Sequence, residues 1–261
     1  MPNGDATRIQ SLIELSRRAG EAIMAVYNSD FTVEQKEDKS PLTAADRNSH
    51  DLIASYLGKH FSYPVLSEEG KGIPYENRKQ WDQFWLVDPL DGTKEFVKKA
   101  GDFTVNIALI KNGEPVLGVI YLPVTGAVYY AEKGAGAFRV EQGKTERLPL
   151  SENKKSLTVV GSRSHATKEL EQYIDELKKK YGEIEVVSRG SSLKFCLVAE
   201  GRADIYPRIG PTMEWDTAAG QIIVEEAGGR VLEFESRRPL RYNKVSLLNP
   251  NFLALRGNRY V

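Results

Sequence analysis

Along residues 7–27, apolar side chains recur at helical spacing: Ile9, Leu12, Ile13, Leu15, Ala19, Ile23 and Val26. This predicts an opening helix with one buried stripe. The charged run VEQKEDKSP (33–41) breaks the pattern and reads as a loosely ordered loop. A second helix is predicted over 43–60, with Leu52, Ile53, Tyr56 and Leu57 as its stripe. A short strand at 64–67 runs straight into Glu68, Glu69 and Gly70, and another at 84–87 ends at Asp88. Asn112-Gly113, set between the β-rich runs 103–110 and 116–121, is the strongest hairpin signal in the chain. More β character follows at 127–131 and 136–140.

Beyond the polar stretch PLSENKKS (149–156) the pattern changes. Strands at 157–160, 184–188 and 203–206 alternate with helices at 166–181, 191–200 and 215–227. We therefore expect an α+β first part (1–150) built on an antiparallel sheet and an α/β second part (151–261).

Composition narrows the function classes. Thirty-six basic and 36 acidic residues cancel, so no global field draws nucleic acid or anionic lipid, and no nucleic-acid partner is expected. A single cysteine, Cys196, excludes an internal disulfide and suits a reducing cytoplasm. Its neighbours Leu193, Phe195, Leu197 and Val198 make it a small core side chain rather than a nucleophile. The opening residues lack the apolar stretch of a secretory signal, no run is long enough for a membrane span, and no basic amphipathic helix would explain attachment to a membrane face.

The chemistry lies in the acids. Glu68 and Glu69 follow one expected strand, Asp88 and Asp91 follow another, and Asp216 sits in the first turn of an expected helix. Such ends are where ligands gather in layered folds. Oxygen donors without His or Cys suit Mg²⁺ rather than zinc. In DPLD (88–91) the Pro ring stiffens the turn so that the two acids converge, and the Leu90 carbonyl can serve as a further oxygen ligand. Gly92 and Thr93 then open a short helix, 93–99, whose free N–H groups favour an oxyanion. Two carboxylates about 4 Å apart repel by roughly 4 kcal/mol at an effective dielectric near 20. A phosphate would therefore enter only with cations.

LSEE (66–69), DPLDGT (88–93) and WDTAA (215–219) resemble the three signatures of the inositol monophosphatase superfamily of lithium-sensitive, magnesium-dependent phosphatases. LDGTKEF (90–96), FTVNIALI (103–110), GSRSH (161–165), GSSLKF (190–195) and YPRIGPT (206–212) are similar to its 3'(2'),5'-bisphosphate nucleotidase branch. The resemblance implies an αβαβα layered sandwich. It implies that Glu68, Asp88, the Leu90 carbonyl, Asp91 and Asp216 hold two Mg²⁺ ions, with Asp46 reaching a third through water. Glu68 and Thr93 would position the attacking water, and the Gly92 and Thr93 N–H groups would hold the scissile phosphate, with no covalent intermediate. The implied substrate is 3'-phosphoadenosine 5'-phosphate, released as AMP and phosphate. Relatives in this branch are described as cytosolic or loosely attached to the inner membrane face.

Plainer readings stand beside these. Asp88 and Asp91 are ordinary turn residues when taken alone, and Asp216 and Asp46 could serve only to offset a helix dipole. Ser162, Arg163, His165, Gly190, Lys194 and Arg208 are candidates for the second phosphate and the nucleoside, Arg through bidentate geometry, though each could equally be a surface residue. Glu69 is either a partner of the metal ligands or simply solvated. The run 34–39 is a solvated loop or, on a weaker reading, a lid. The rival activities are inositol or sugar monophosphatase, fructose-1,6-bisphosphatase at a greater distance, and a nucleotide-binding regulator without turnover. Monomer and homodimer both stand.

Overall fold

The first apolar stripe becomes α1 (Asn3–Tyr27), which buries Leu12, Leu15, Ala19 and Ile23. The computed structural model of the chain describes residues 3–36, 41–150, 156–162 and 167–257. Part of the charged run expected as loop forms a two-stranded antiparallel ribbon, β1 (Glu34–Gln35) with β2 (Pro41–Leu42). α2 (Ala44–His60) starts from a capping box in which the Thr43 N–H donates to Asp46 Oδ2 at 2.7 Å.

Seven strands follow as one sheet, each beside its neighbour in sequence. They are β3 (Val65–Ser67), β4 (Gln83–Asp91), β5 (Thr104–Lys111), β6 (Glu114–Leu122), β7 (Ala127–Glu132), β8 (Gly136–Glu141) and β9 (Lys144–Arg147). Two short helices flank β4, α3 (Tyr75–Arg78) before it and α4 (Thr93–Val97) after it. The hairpin signal holds: Lys111 pairs with Glu114, and Asn112 and Gly113 both take positive φ. The sheet is not wholly antiparallel as expected, because β3 and β4 run parallel. The chain between them, which carries α3, is long enough to cross over rather than turn back.

The second sheet takes β10 (Leu157–Ser162), β11 (Ile184–Arg189), β12 (Ile205–Arg208), β13 (Arg230–Glu233) and β14 (Phe252–Leu255) in the order β11-β10-β12-β14-β13. The helices α5 (Lys168–Tyr181), α6 (Leu193–Ala199) and α7 (Glu214–Glu226) intervene in sequence. β11, β10 and β12 are parallel, as an α/β reading requires, but β14 runs antiparallel to both of its neighbours and makes the sheet mixed.

Side-chain alternation in the strands assigns the layers. Trp85, Val87, Val105 and Ile107 point to α1 and α2, while Phe84, Leu86, Ala108 and Ile110 point to α6 and α7. The far side of α6 and α7 meets the second sheet through Val160, Tyr206 and Phe252, and that sheet's other face packs on α5 through Val159, Ile205 and Leu177. The order is helix, sheet, helix, sheet, helix, the expected αβαβα sandwich. Burial on both faces explains why β4 to β6 read as nearly continuous hydrophobic runs. α7 lies directly on β6 at Gly118, where a Cβ would come within 2.8 Å of the Ala219 carbonyl. That contact brings the start of α7 toward the end of β4.

Candidate active site

Glu68 and Glu69 follow the end of β3 as expected, but Asp88 and Asp91 do not follow the end of a strand. β4 runs through them to Asp91, and the interruption is a bulge between Asp88 and Asp91. Asp88 still pairs with Asn106 on β5, and pairing resumes at Asp91 with Thr104. Within the bulge Pro89 has no N–H to lose, its carbonyl accepts from Ser49 Oγ at 2.8 Å, and Asp88 Oδ1 accepts from the Leu90 N–H at 3.1 Å. Gly92 then turns the chain into α4 at φ 93°, where a β-carbon would sit 2.9 Å from the Asp102 carbonyl. The helix stops at Val97, short of the expected 99.

This geometry collects carboxylates. One oxygen from each of Glu68, Asp88 and Asp216 lies within 4.8 Å of the others. Glu68 comes from the end of β3, Asp88 from the bulge, and Asp216 from the first turn of α7, where its Oδ2 accepts from the Met213 N–H at 2.8 Å. Burial raises all three carboxyls above the ordinary range, Asp88 and Asp216 far above it, and each feels the charge of its neighbours. Such a cluster calls for positive charge. Lys36 supplies some of it, donating to Glu68 at 2.7 Å and also to Glu69. Burial disfavours the Lys36 charge, yet the two glutamates outweigh it and hold the ammonium above the usual lysine range. Three hard oxygen donors, mutually repelling and converging on one point, fit a divalent cation.

Asp46 takes the plainer of its expected roles, at the start of α2, and adds a link to Thr93. It is buried and completes the cap of α2, the plainer role, and its Oδ1 also accepts from Thr93 Oγ1 at 3.1 Å. The Thr93 hydroxyl lies 3.2 Å from the Leu90 carbonyl as well. Burial raises the Asp46 carboxyl against the hydrogen bonds from Thr43 and Thr93. Asp91 lines the same cavity as the cluster, but its Oδ2 is taken by the Ser192 N–H at 2.6 Å, Ser192 Oγ at 2.7 Å and Ser191 Oγ at 2.9 Å.

The cavity, of about 300 Å³, extends from the acids to a cationic wall. Lys194 is 4% exposed there, donating to the Ser191 carbonyl at 2.6 Å and standing over the Tyr206 ring. Burial depresses its pKa to about 8; Asp91 pulls against this and Arg208 adds to it. Arg208, 8% exposed, donates through Nη2 to the Pro211 carbonyl at 2.8 Å, and among the described residues no acceptor reaches its Nε. Gly92, Thr93 and Gly190 also line the cavity, the Gly190 N–H donating to Asp102 at 3.1 Å. Of the other expected contacts, Ser162 is the last residue of β10. Arg163 and His165 lie outside the described residues.

Sequence reasoning missed Lys36, which it left in a solvated run, and gave Ser191 and Ser192 no role of their own beyond their place in GSSLKF and at the opening of a helix. That helix begins at Leu193. Thr212 and Pro211 on the cavity wall were also passed over, although both stand in the quoted YPRIGPT.

The chain matches the family model described as the inositol monophosphatase family over residues 5–258. It is 47% identical over 247 residues to the 3'(2'),5'-bisphosphate nucleotidase CysQ of Salmonella typhimurium, covering 94% of this chain and 98% of that protein. Among solved structures, CysQ from Bacteroides thetaiotaomicron, a bacterial member of the same family, is 47% identical with a TM-score of 0.88, over 95% of this chain and 97% of that one. An IMPase from Thermotoga maritima is 30% identical with a TM-score of 0.76, over 96% and 92% respectively.

Proposed function

We propose, because the chain belongs to the inositol monophosphatase family and is 47% identical over nearly its whole length to CysQ nucleotidases, that it converts 3'-phosphoadenosine 5'-phosphate to AMP and phosphate. The activity is that of a 3'(2'),5'-bisphosphate nucleotidase, a phosphoric monoester hydrolase, and it would recycle a by-product of sulfate activation. One observation in the molecule carries the reading further. A single cavity sets three converging carboxylates at one end and a buried lysine and arginine at the other. A substrate with two phosphates on one ribose matches that division.

At the acidic end, Glu68, Asp88, Asp91, Asp216 and the Leu90 carbonyl would hold two Mg²⁺ ions. A third near Asp46 is the finer point that a calorimetric Mg²⁺ titration would count. Bound there, the ions would offset the charge of the cluster, draw in the phosphate oxygens and make a water more acidic. The chain supplies the rest. Thr93 donates its hydroxyl hydrogen to Asp46 and so keeps a lone pair to accept from the attacking water. Asp46, with a carboxyl raised by burial, is suited to hold the proton that arrives through Thr93. Glu68 helps orient the same water. The Gly92 and Thr93 backbone faces the scissile phosphate, while Lys194 and Arg208 take the 5'-phosphate, Arg208 with its Nε–H open to donate to it. Gly190, which lines the cavity, would border the nucleoside, and a single buried thiol, Cys196, suits a cytoplasmic setting.

The likeness to the Thermotoga maritima IMPase keeps a second reading in play, an inositol or sugar monophosphatase with the same metal mechanism. Phosphate release with Mg²⁺ should be measured from 3'-phosphoadenosine 5'-phosphate and from inositol 1-phosphate at equal concentration. Strong preference for the nucleotide is expected. Preference for the inositol ester would discard the nucleotide assignment and leave the metal mechanism standing.

A further inference from the structure

We propose that Ser191 and Ser192 are positioning residues for Asp91, fixing one carboxylate oxygen so that the other is presented in a single direction. The proposal rests on the reading of Asp91 as a metal ligand. Three donors reach Asp91 Oδ2 within 2.9 Å, and all three come from these two residues. Asn106 Nδ2 stands at 3.5 Å from the same atom. Among the described residues no donor reaches Oδ1. A free Asp side chain rotates; this one is clamped on one side only.

Two features argue that the clamp is a device and not ordinary packing. The first is backbone strain. Ser191 holds φ at 56°, a left-handed conformation that Gly adopts freely and that a residue with a side chain occupies at a disadvantage. A serine kept where glycine would rest more easily points to its hydroxyl. The second is the order of the surrounding hydrogen bonds. Asn106 Nδ2 donates to Ser192 Oγ at 2.9 Å, so the Ser192 hydrogen is directed elsewhere; Asp91 Oδ2 at 2.7 Å is the nearest acceptor, ahead of the Asp216 carbonyl at 2.9 Å. Thr104 Oγ1 lies 2.6 Å from Ser191 Oγ. When Thr104 donates in that contact, the shorter of its two, rather than to Asn106 Oδ1 at 2.9 Å, the Ser191 hydrogen is left for Asp91. Thr104 and Asn106 sit on β5 opposite Asp91 and Asp88, so the larger sheet orients the serines and the serines orient the acid. The clamp also joins the two halves of the chain, since Asp91 closes β4 and the serines precede α6. Partners behind a metal ligand typically change metal affinity by about 10- to 100-fold when removed.

The test is Mn²⁺ binding to the full chain without substrate, followed by electron paramagnetic resonance, together with thermal stability in EDTA. Ser192→Ala should weaken Mn²⁺ binding about tenfold with little change in stability, and Ser192→Thr, which keeps the hydroxyl at an ordinary φ, should restore it. Ser191→Gly is the sharper variant. It relieves the strained φ and removes the hydroxyl, so stability should hold or rise while Mn²⁺ affinity falls. Asp91→Asn serves as the control. If it leaves Mn²⁺ affinity unchanged, Asp91 is no ligand and the reading beneath the proposal fails. If it weakens binding while Ser191→Gly and Ser192→Ala bind Mn²⁺ like the parent, the positioning role is overturned.

Discussion

The two ends of the cavity solve opposite problems with the same means. At one end Glu68, Asp88 and Asp216 crowd their charges together, and burial makes each carboxylate harder to ionise. At the other, Lys194 and Arg208 crowd like charge of the opposite sign, and burial makes the lysine easier to discharge. Neither end is stable as a fully charged, empty site. On the proposed function, cations would relieve the acidic end and an anion the basic end, beyond what Lys36 does for Glu68 and Asp91 for Lys194. The difference lies in support. Asp88, Asp216 and Asp91 accept backbone N–H donors, while Lys194 and Arg208 donate to the Ser191 and Pro211 carbonyls and the described contacts leave the Nε of Arg208 open.

The largest way to break the comparison is Asp88→Asn. Turnover should fall by at least about a thousandfold, equal to losing roughly 4 kcal/mol of transition-state stabilisation. The metal-free protein should melt at a higher temperature, because a buried like charge has gone. Lower activity with higher stability distinguishes stored electrostatics from simple damage; a parallel loss of both would contradict it.

At the basic end, Lys194→Met should raise KM for the bisphosphate about 10- to 100-fold while kcat changes little. Acidity offers a gentler probe of both ends. Carboxyls raised in the folded state bind protons that the unfolded chain releases, so the contribution of Glu68, Asp88 and Asp216 to metal-free stability is greatest at low pH. It should decline as pH climbs from about 4, the ordinary carboxylate value, through the raised folded values. Saturating Mg²⁺ should flatten that slope. For Lys194 the folded pKa is lowered to about 8, and the charged form is the one that binds an anion, so KM should climb above pH 8. Lys194→Arg, which stays charged, should remove that rise. The smallest effect belongs to Cys196, fully buried with its thiol pushed up by burial. Cys196→Ala should cost about 1–2 kcal/mol of stability and leave kcat/KM unchanged.

Much of this could be read from residues close together in the chain. α1 and α2 were legible because apolar stripes report helices directly, and the hairpin because Asn112-Gly113 supplies two positive φ values. Clustering of Glu68, Asp88 and Asp216 was legible because each acid sits where an element begins or ends, or where a strand is interrupted. What escaped depends on partners far away in sequence. DPLD looked like the end of a strand because nothing local reveals that β5 carries the pairing past it to Asp91. Lys36 looked solvated because its partners are Glu68 and Glu69, across a fold that the run 33–41 does not encode by itself. Ser191 and Ser192 looked like a helix start, since their role is set by an acid from the other half of the chain.

The most direct test of the two-ended cavity compares kcat/KM with Mg²⁺ for 3'-phosphoadenosine 5'-phosphate and for adenosine 3'-monophosphate, which keeps the scissile ester and lacks the second phosphate. We expect the bisphosphate to be preferred by about a hundredfold or more, with the difference in KM, in line with loss of a buried charge pair worth roughly 3 kcal/mol. Equal efficiency on the two substrates would mean that Lys194 and Arg208 hold no phosphate, and would contradict the account at its centre.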